Sequence, residues 1–405
     1  MDPVIAAAAR ALASGNALEA LKRVALRDDL HARALRGIAM AQLGDLLRAR
    51  DLLRDAACGF GSSSPLTVAR CKLAIAEISL VLRDLGGLIE LLQETGSILE
   101  GHGDRSNLAH AIYLQARLAL LLGRLGQAED LLSSIDPAMV PSVSRPGYWL
   151  VAAGIAMRRV EASKARSALH QAARAAHVAS VPALLAEVEN ARQAAQAPAA
   201  RLIMEGTDRS LGLAEVEKVL ASERLVVDAC RNLLRQGPHN IDLRGRPVLF
   251  GLLRTLAEAW PNDVPREHLL QRVFRARQVD ESHRARLRVE IARLRKLLAP
   301  LAGVEATRRG YTLKPRKSTP VVLAPPVQGP NANVLALLAD GEAWSSSGLA
   351  LALDVSPRTV QRMLAALSQS GKVEWFGYGR SRRWIFAGVP GFPTGLLLPV
   401  NAPRE

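Results

Sequence analysis

Leucine-rich segments return in this chain at an almost constant interval. "LGDLLRARDLL" (43–53), "LRDLGGLIELL" (82–92) and "LGRLGQAEDLL" (122–132) read as near copies, with "RRVEASKARSAL" (158–169) as a weaker fourth. Their closing leucines, Leu53, Leu92, Leu132 and Leu169, lie 39, 40 and 37 residues apart. "SGNALEAL" (14–21) reads as a truncated first copy. In the clearest copies a helix ends near a Leu-Gly or Gly-Asp pair and a second leucine-rich helix follows. Small residues, Ala39 and Ala41 or Ala116 and Ala119, sit where one helix must approach its neighbour closely. A single helical pair cannot bury its apolar face, so pairs at this period are expected to stack into an N-terminal α-solenoid.

These repeats resemble the tetratricopeptide-repeat class over roughly residues 10–200, at a slightly longer period and without its full consensus. The resemblance implies a domain over 1–205 with a concave surface for a protein or peptide partner. No single contact residue stands out. Composition agrees with a mainly α chain, since aromatics make up only 4% of 405 residues while alanine and leucine abound. That length is too great for one ordinary core. Three cysteines (Cys58, Cys71, Cys230) form no CxxC pair, which fits small buried hydrophobes in a reducing compartment. The start "MDPVIAAAAR" has no basic leader pattern, and no apolar run nears the ~20 residues of a membrane span. A cytoplasmic protein without membrane contact is expected.

The net charge of +15 is unevenly placed. Residues 1–200 carry 22 Lys+Arg against 19 Asp+Glu, residues 201–320 carry 24 against 14, and residues 321–405 carry 7 against 5. A surplus concentrated in one segment is the pattern of a polyanion-binding module on a nearly neutral body.

Within that segment, "RLVVDACRNLLRQGPHNIDL" (224–243) reads as strands around a Gly237-Pro238 turn. "LRGRPVLFGLLRTLAEAW" (243–260) gives a helix with Leu249, Leu252, Leu253 and Leu256 on one side. "PNDVPREHLLQRVF" (261–274) breaks at proline and restarts as a short helix. "HRARLRVEIARLRKLL" (283–298) follows, with Ser282 the expected N-cap. "VEATRRGYTLKP" (304–315) is a strand, a tight turn and a second strand. Strands, three helices and a hairpin make a winged helix-turn-helix. On "VEIARLRKLL", "TRRGYTL" and "IDLRGRP…LFGLLRTLAE", residues 222–315 resemble the effector domain of OmpR/PhoB-type bacterial transcription regulators. The hairpin is shorter than that family's wing. No phosphoacceptor receiver pattern precedes it, so control by aspartyl phosphorylation is not expected.

The 283–298 helix combines two features that neither a buried nor a purely solvated helix needs together. Leu287, Ile291, Leu294 and Leu298 form one apolar stripe. Arg284, Arg288 and Arg295 flank one side, Arg286 and Arg293 the other, and Lys296 lies nearly opposite. The family resemblance implies that this helix enters the major groove of duplex DNA. Arg284, Arg286 and Arg288 would then reach base edges, while Arg293, Arg295 and Lys296 meet phosphates. Arg308 and Arg309 at the hairpin tip would enter the minor groove.

"PRKSTPVVLAPPVQGP" (315–330) holds five prolines and reads as an extended linker over 316–330. Residues 331–390 read as a second helix-turn-helix with a hairpin, similar to a generic MarR/DeoR-like winged helix. Ser356 caps its second helix with Pro357 at the first position. Arg358, Thr359, Gln361 and Arg362 crowd the exposed first turn, and Arg380, Arg382 and Arg383 lie near the hairpin tip. Its small charge surplus leaves homodimerisation or protein contact as an alternative role. Residues 391–405 read as a tail.

No HExxH, GxxxxGK[ST] or GxSxG occurs, nor Cys/His spacing for zinc. No enzymatic activity, metal or cofactor is therefore expected. The leading expectation is a bacterial transcription regulator that binds duplex DNA through winged helices and senses a partner through its repeats. A protein-interaction scaffold and RNA binding are the alternatives.

Overall fold

Short capped turns divide the first half of the chain into helical pairs. The computed structural model describes residues 2–386 apart from 83, 123, 244, 275–279, 327–330, 332–333, 336–337, 339–343, 354, 378 and 380–381. The pairs are α1 (Pro3–Ala13) with α2 (Ala17–Val24), α3 (Leu30–Gln42) with α4 (Leu46–Phe60), and α5 (Pro65–Val81) with α6 (Leu88–Gly101). Next come α7 (Arg105–Leu121) with α8 (Leu125–Ser133) and α9 (Arg145–Arg159) with α10 (Ala162–Ala179). Every pair turns where the repeated segments predict. Gly44 takes the left-handed φ of 91° that its turn requires. Asp45 then caps α4 by accepting from the Arg48 amide at 3.3 Å. Consecutive helices pack on one another through to α11 (Pro182–Gln196). Ala39, Ala41 and Ala116 are fully buried, as close helix approach demands.

The inner face of this array departs from the open concavity that the repeat resemblance implies. A two-layer stack leaves one side of each inner helix open, yet α5 is buried at every position from Leu73 to Leu80, and α7 from Ala116 to Leu121. The chain itself fills the space. Glu187 of α11 is buried and feels the charges of Arg117 on α7 and Glu77 on α5. Gly15, in the first turn, touches Val181 at the start of α11, since a Cβ there would come within 2.9 Å of a valine methyl. The physical reason is that small inner residues let α5, α7 and α9 pack on one another and α11 close over them, so inner helices become each other's partners.

Beyond α11 the chain builds a six-stranded sheet. Its strands are β1 (Ala200–Met204), β2 (Thr207–Leu211), β3 (Leu225–Asp228), β4 (Leu233–Gln236), β5 (His239–Asp242) and β9 (Pro320–Ala324), in the order β2-β1-β9-β3-β4-β5. Helix α12 (Leu213–Leu220) follows β2. The stretch 316–330, expected to be a linker, instead supplies a central strand: β9 is buried throughout, antiparallel to β1 and parallel to β3. Pro320 is tolerated because it stands at the first residue of the strand. The sheet also moves the expected boundary of 205, since β1 begins at Ala200. One sheet face packs with Val160 and α12 residue Val216 through Leu202, Val226, Val321 and Leu323. The other carries Leu225, Val227, Leu234 and Val322 into the next core.

That core is formed by α13 (Pro247–Ala259), α14 (Arg266–Phe274) and α15 (Glu281–Leu298), closed by a small sheet in the order β6-β8-β7. Its strands are β6 (Val264–Pro265), β7 (Ala302–Ala306) and β8 (Gly310–Pro315). Among the described residues, the last unit contains α16 (Ser346–Leu353), α17 (Pro357–Gln369), β10 (Val373–Phe376) and β11 (Arg383–Phe386). The chain is mainly helical with a small sheet part. No described helix is long and apolar enough to cross a membrane.

Candidate nucleic-acid interface

α15 is anchored as its sequence predicts. Leu287, Ile291, Leu294 and Leu298 are between 0% and 2% exposed and join the core of α13 and the sheets. Its N-cap is Asp280, not Ser282: the Asp280 carboxylate accepts from the His283 amide at 2.8 Å. That bond, and a second to the imidazole at 2.6 Å, hold the carboxyl below its ordinary range. A carboxylate here also suits the positive end of the helix dipole.

All six basic residues nominated on α15 are exposed. Arg288 donates to Glu281 at 2.5 Å, and Arg284 lies 3.6 Å from the same carboxylate. Arg293 donates to Glu290 at 2.8 Å. Arg286 stacks over the Phe274 ring, 5.2 Å from its centre. The Glu281 pairs are exposed on both sides, so salt screens them and other anions exchange for them readily, whereas Glu290 is largely covered. Lys296 lies with Arg293, Arg246, Val248 and Leu297 around a groove of about 710 Å³. Arg295 is held by the fold while staying exposed. Its Nε donates to the Val304 carbonyl at 2.7 Å, tying α15 to β7.

The hairpin is presented rigidly. Gly310 is required by close approach, because a Cβ would fall 1.7 Å from the Val264 carbonyl oxygen. Arg266 clamps the turn, donating to the carbonyls of Arg308 at 2.9 Å and Thr307 at 3.0 Å, with its guanidinium over Tyr311. The Thr307 hydroxyl donates to Asp263 at 2.6 Å and accepts from the Gly310 amide at 2.8 Å. Arg308 and Arg309 are left exposed at the tip of the hairpin whose first strand, β7, packs on α15. Sequence reasoning missed Arg266, Asp263 and Thr307, because their partners lie more than forty positions away in the chain.

In the last unit Ser356 caps α17 as expected, accepting from the Thr359 amide at 3.1 Å. Arg358, Gln361 and Arg362 are exposed on its first turns, whereas the Thr359 hydroxyl is engaged with Ser356 at 2.8 Å. Arg380 and the tail 391–405 lie outside the described residues. Arg382 stacks on Trp375, 4.3 Å from the ring centre, and Arg383 donates to the Arg382 carbonyl at 3.0 Å. The hairpin does not project freely. Val373 and Trp384 enter its own core, while Phe376 and Ile385 join the cluster formed by the middle helical pairs. Strand alternation explains this, since one face serves its own helices and the other meets the array.

The chain matches no protein-family model, no curated protein and no solved structure. The chemistry of its surface therefore carries the functional argument. Among the described residues, no group of three or more His, Cys, Asp or Glu is placed to hold a metal ion.

Proposed function

We propose that this chain is a bacterial transcription regulator that binds duplex DNA. Residues 222–315 act as a winged helix-turn-helix, with α15 as recognition helix and the β7–β8 hairpin as wing. The observation that carries this reading is the division of α15 into a buried apolar stripe and an exposed basic surface, with Arg308 and Arg309 exposed on the hairpin that packs on it. Phosphates are the natural partners of such a surface. They replace the exposed contacts of Arg284 and Arg288 to Glu281 with charge-assisted bonds to a dense line of anions.

The helical repeats serve as the partner-sensing module, in the manner of tetratricopeptide-like solenoids. Their closed inner face directs a partner to the outer helices. The docked hairpin of Phe376 and Ile385 favours a protein-contact role for the second winged helix, with Arg358, Gln361 and Arg362 its DNA-facing candidates. Titration of the full chain against duplex DNA, single-stranded DNA and hairpin RNA tests the reading. Duplex preference with steep loss of affinity in salt is expected. Equal or stronger binding to RNA, or none to any of the three, would overturn it.

A further inference from the structure

Charge does not explain the outermost stripe of α15. Ala285, Val289 and Ala292 repeat the spacing of Leu287, Ile291 and Leu294 displaced by two residues, about 200° around the helix. All three are exposed, and Val289 is 50% exposed. A solvated helix face gains nothing from valine, which is β-branched and a poorer helix former than lysine, glutamate or glutamine. On one side of this apolar stripe run Arg284, Arg288 and Arg295, and on the other Arg286 and Arg293. The small alanines let the backbone come close to whatever lies opposite, and Val289 is the foremost side chain at the middle of the helix.

We propose that Val289, flanked by Ala285 and Ala292, reads thymine C5-methyl groups in the major groove, so that the preferred duplex places A·T pairs opposite the middle of α15. This rests on the duplex-DNA reading above. A helix about 10–12 Å across fits a groove about 12 Å wide. In that position Arg293 and Arg295 face the phosphate ridges, Arg284, Arg286 and Arg288 reach base edges at the leading end, and the apolar stripe faces the floor. The thymine methyl is the apolar group that the floor displays, and alanine-like side chains are its usual contacts. A protein partner fits less well, because helix-in-groove recognition uses large anchors such as leucine, phenylalanine or tryptophan, and none stands on this stripe.

The test selects duplexes from a random pool with the full chain. It then replaces single thymines of the selected site by deoxyuridine, which removes one methyl and leaves the protein untouched. Removing one contacted methyl is expected to weaken binding about fourfold. Val289→Ser, checked for unchanged circular dichroism, is expected to bind thymine and uracil duplexes equally. Wild-type affinity that ignores every thymine-to-uracil replacement would overturn the methyl-reading role while leaving DNA binding intact. A pool that yields no duplex binders would instead remove the reading on which the proposal rests.

Discussion

Among single residues, Gly310 has the least freedom. Its missing Cβ lets β8 cross the Val264 backbone, so Gly310→Ala forces the two strands apart and undoes the Arg266 clamp on the turn. A loss of at least about 2 kcal/mol in the chemical denaturation of this module is expected; an unchanged midpoint would contradict the packing. Glu187 carries a different signal. Burial pushes its carboxyl up to about 7, with Arg117 opposing and Glu77 adding to the rise. Tyr113 and the Glu77–His110 pair complete this buried cluster. A folded pKa above the ordinary 4.5 means that the native state holds a proton the unfolded chain has released. The stabilisation is complete below the ordinary value and disappears as pH rises through about 7. Thermal stability of the array should therefore decline over that window, and Glu187→Gln should flatten the decline. Parallel profiles for both proteins would show that Glu187 does not titrate there.

Among the elements, α15 has one buried apolar face and one exposed basic face, and on the proposed reading substitutions separate their roles. Leu294→Ala removes a fully buried side chain and should destabilise the module by about 2–5 kcal/mol. Arg288→Ala and Arg293→Ala should leave the fold intact and weaken duplex binding. Arg288→Ala should also relax sequence preference, and Arg293→Ala should not. Gel-shift titrations against selected and scrambled duplexes distinguish these outcomes, and unchanged binding in both variants would remove α15 from the interface. Much of this element is legible in the sequence, because a 3.6-residue period names its buried and exposed faces without any partner. The turns of the helical pairs are legible for another reason, the return of similar leucine-rich segments every 37 to 40 residues. The 3.6-residue logic failed for β9, where "PVVLA" between prolines looks like a linker until β1 and β3, distant in the chain, arrive on either side. Nor does it reveal the Arg295 acceptor on β7, which the fold creates.

At the scale of the whole molecule, the array, the central sheet and the basic module form a chain of contacts. Val160 and Arg158 of the last pair meet the sheet. The sheet carries α13 on its other face, and the C-terminal hairpin returns to the middle of the array. The closed inner face was not legible from repeat period alone, because the period fixes how neighbours pack and leaves curvature undetermined. Phe376→Ser should free the C-terminal unit from the array, seen as faster proteolytic cleavage between residues 325 and 345. Unchanged cleavage would contradict the docking. The central claim concerns the basic surface of α15, and salt dependence tests it most directly. Duplex affinity of the full chain should be measured from low to high salt beside that of an Arg293→Ala, Lys296→Ala double variant. Each lost phosphate contact should reduce the slope of log affinity against log salt by about one. A double variant with a slope smaller by about two is the predicted result, and identical slopes for the two proteins would contradict it.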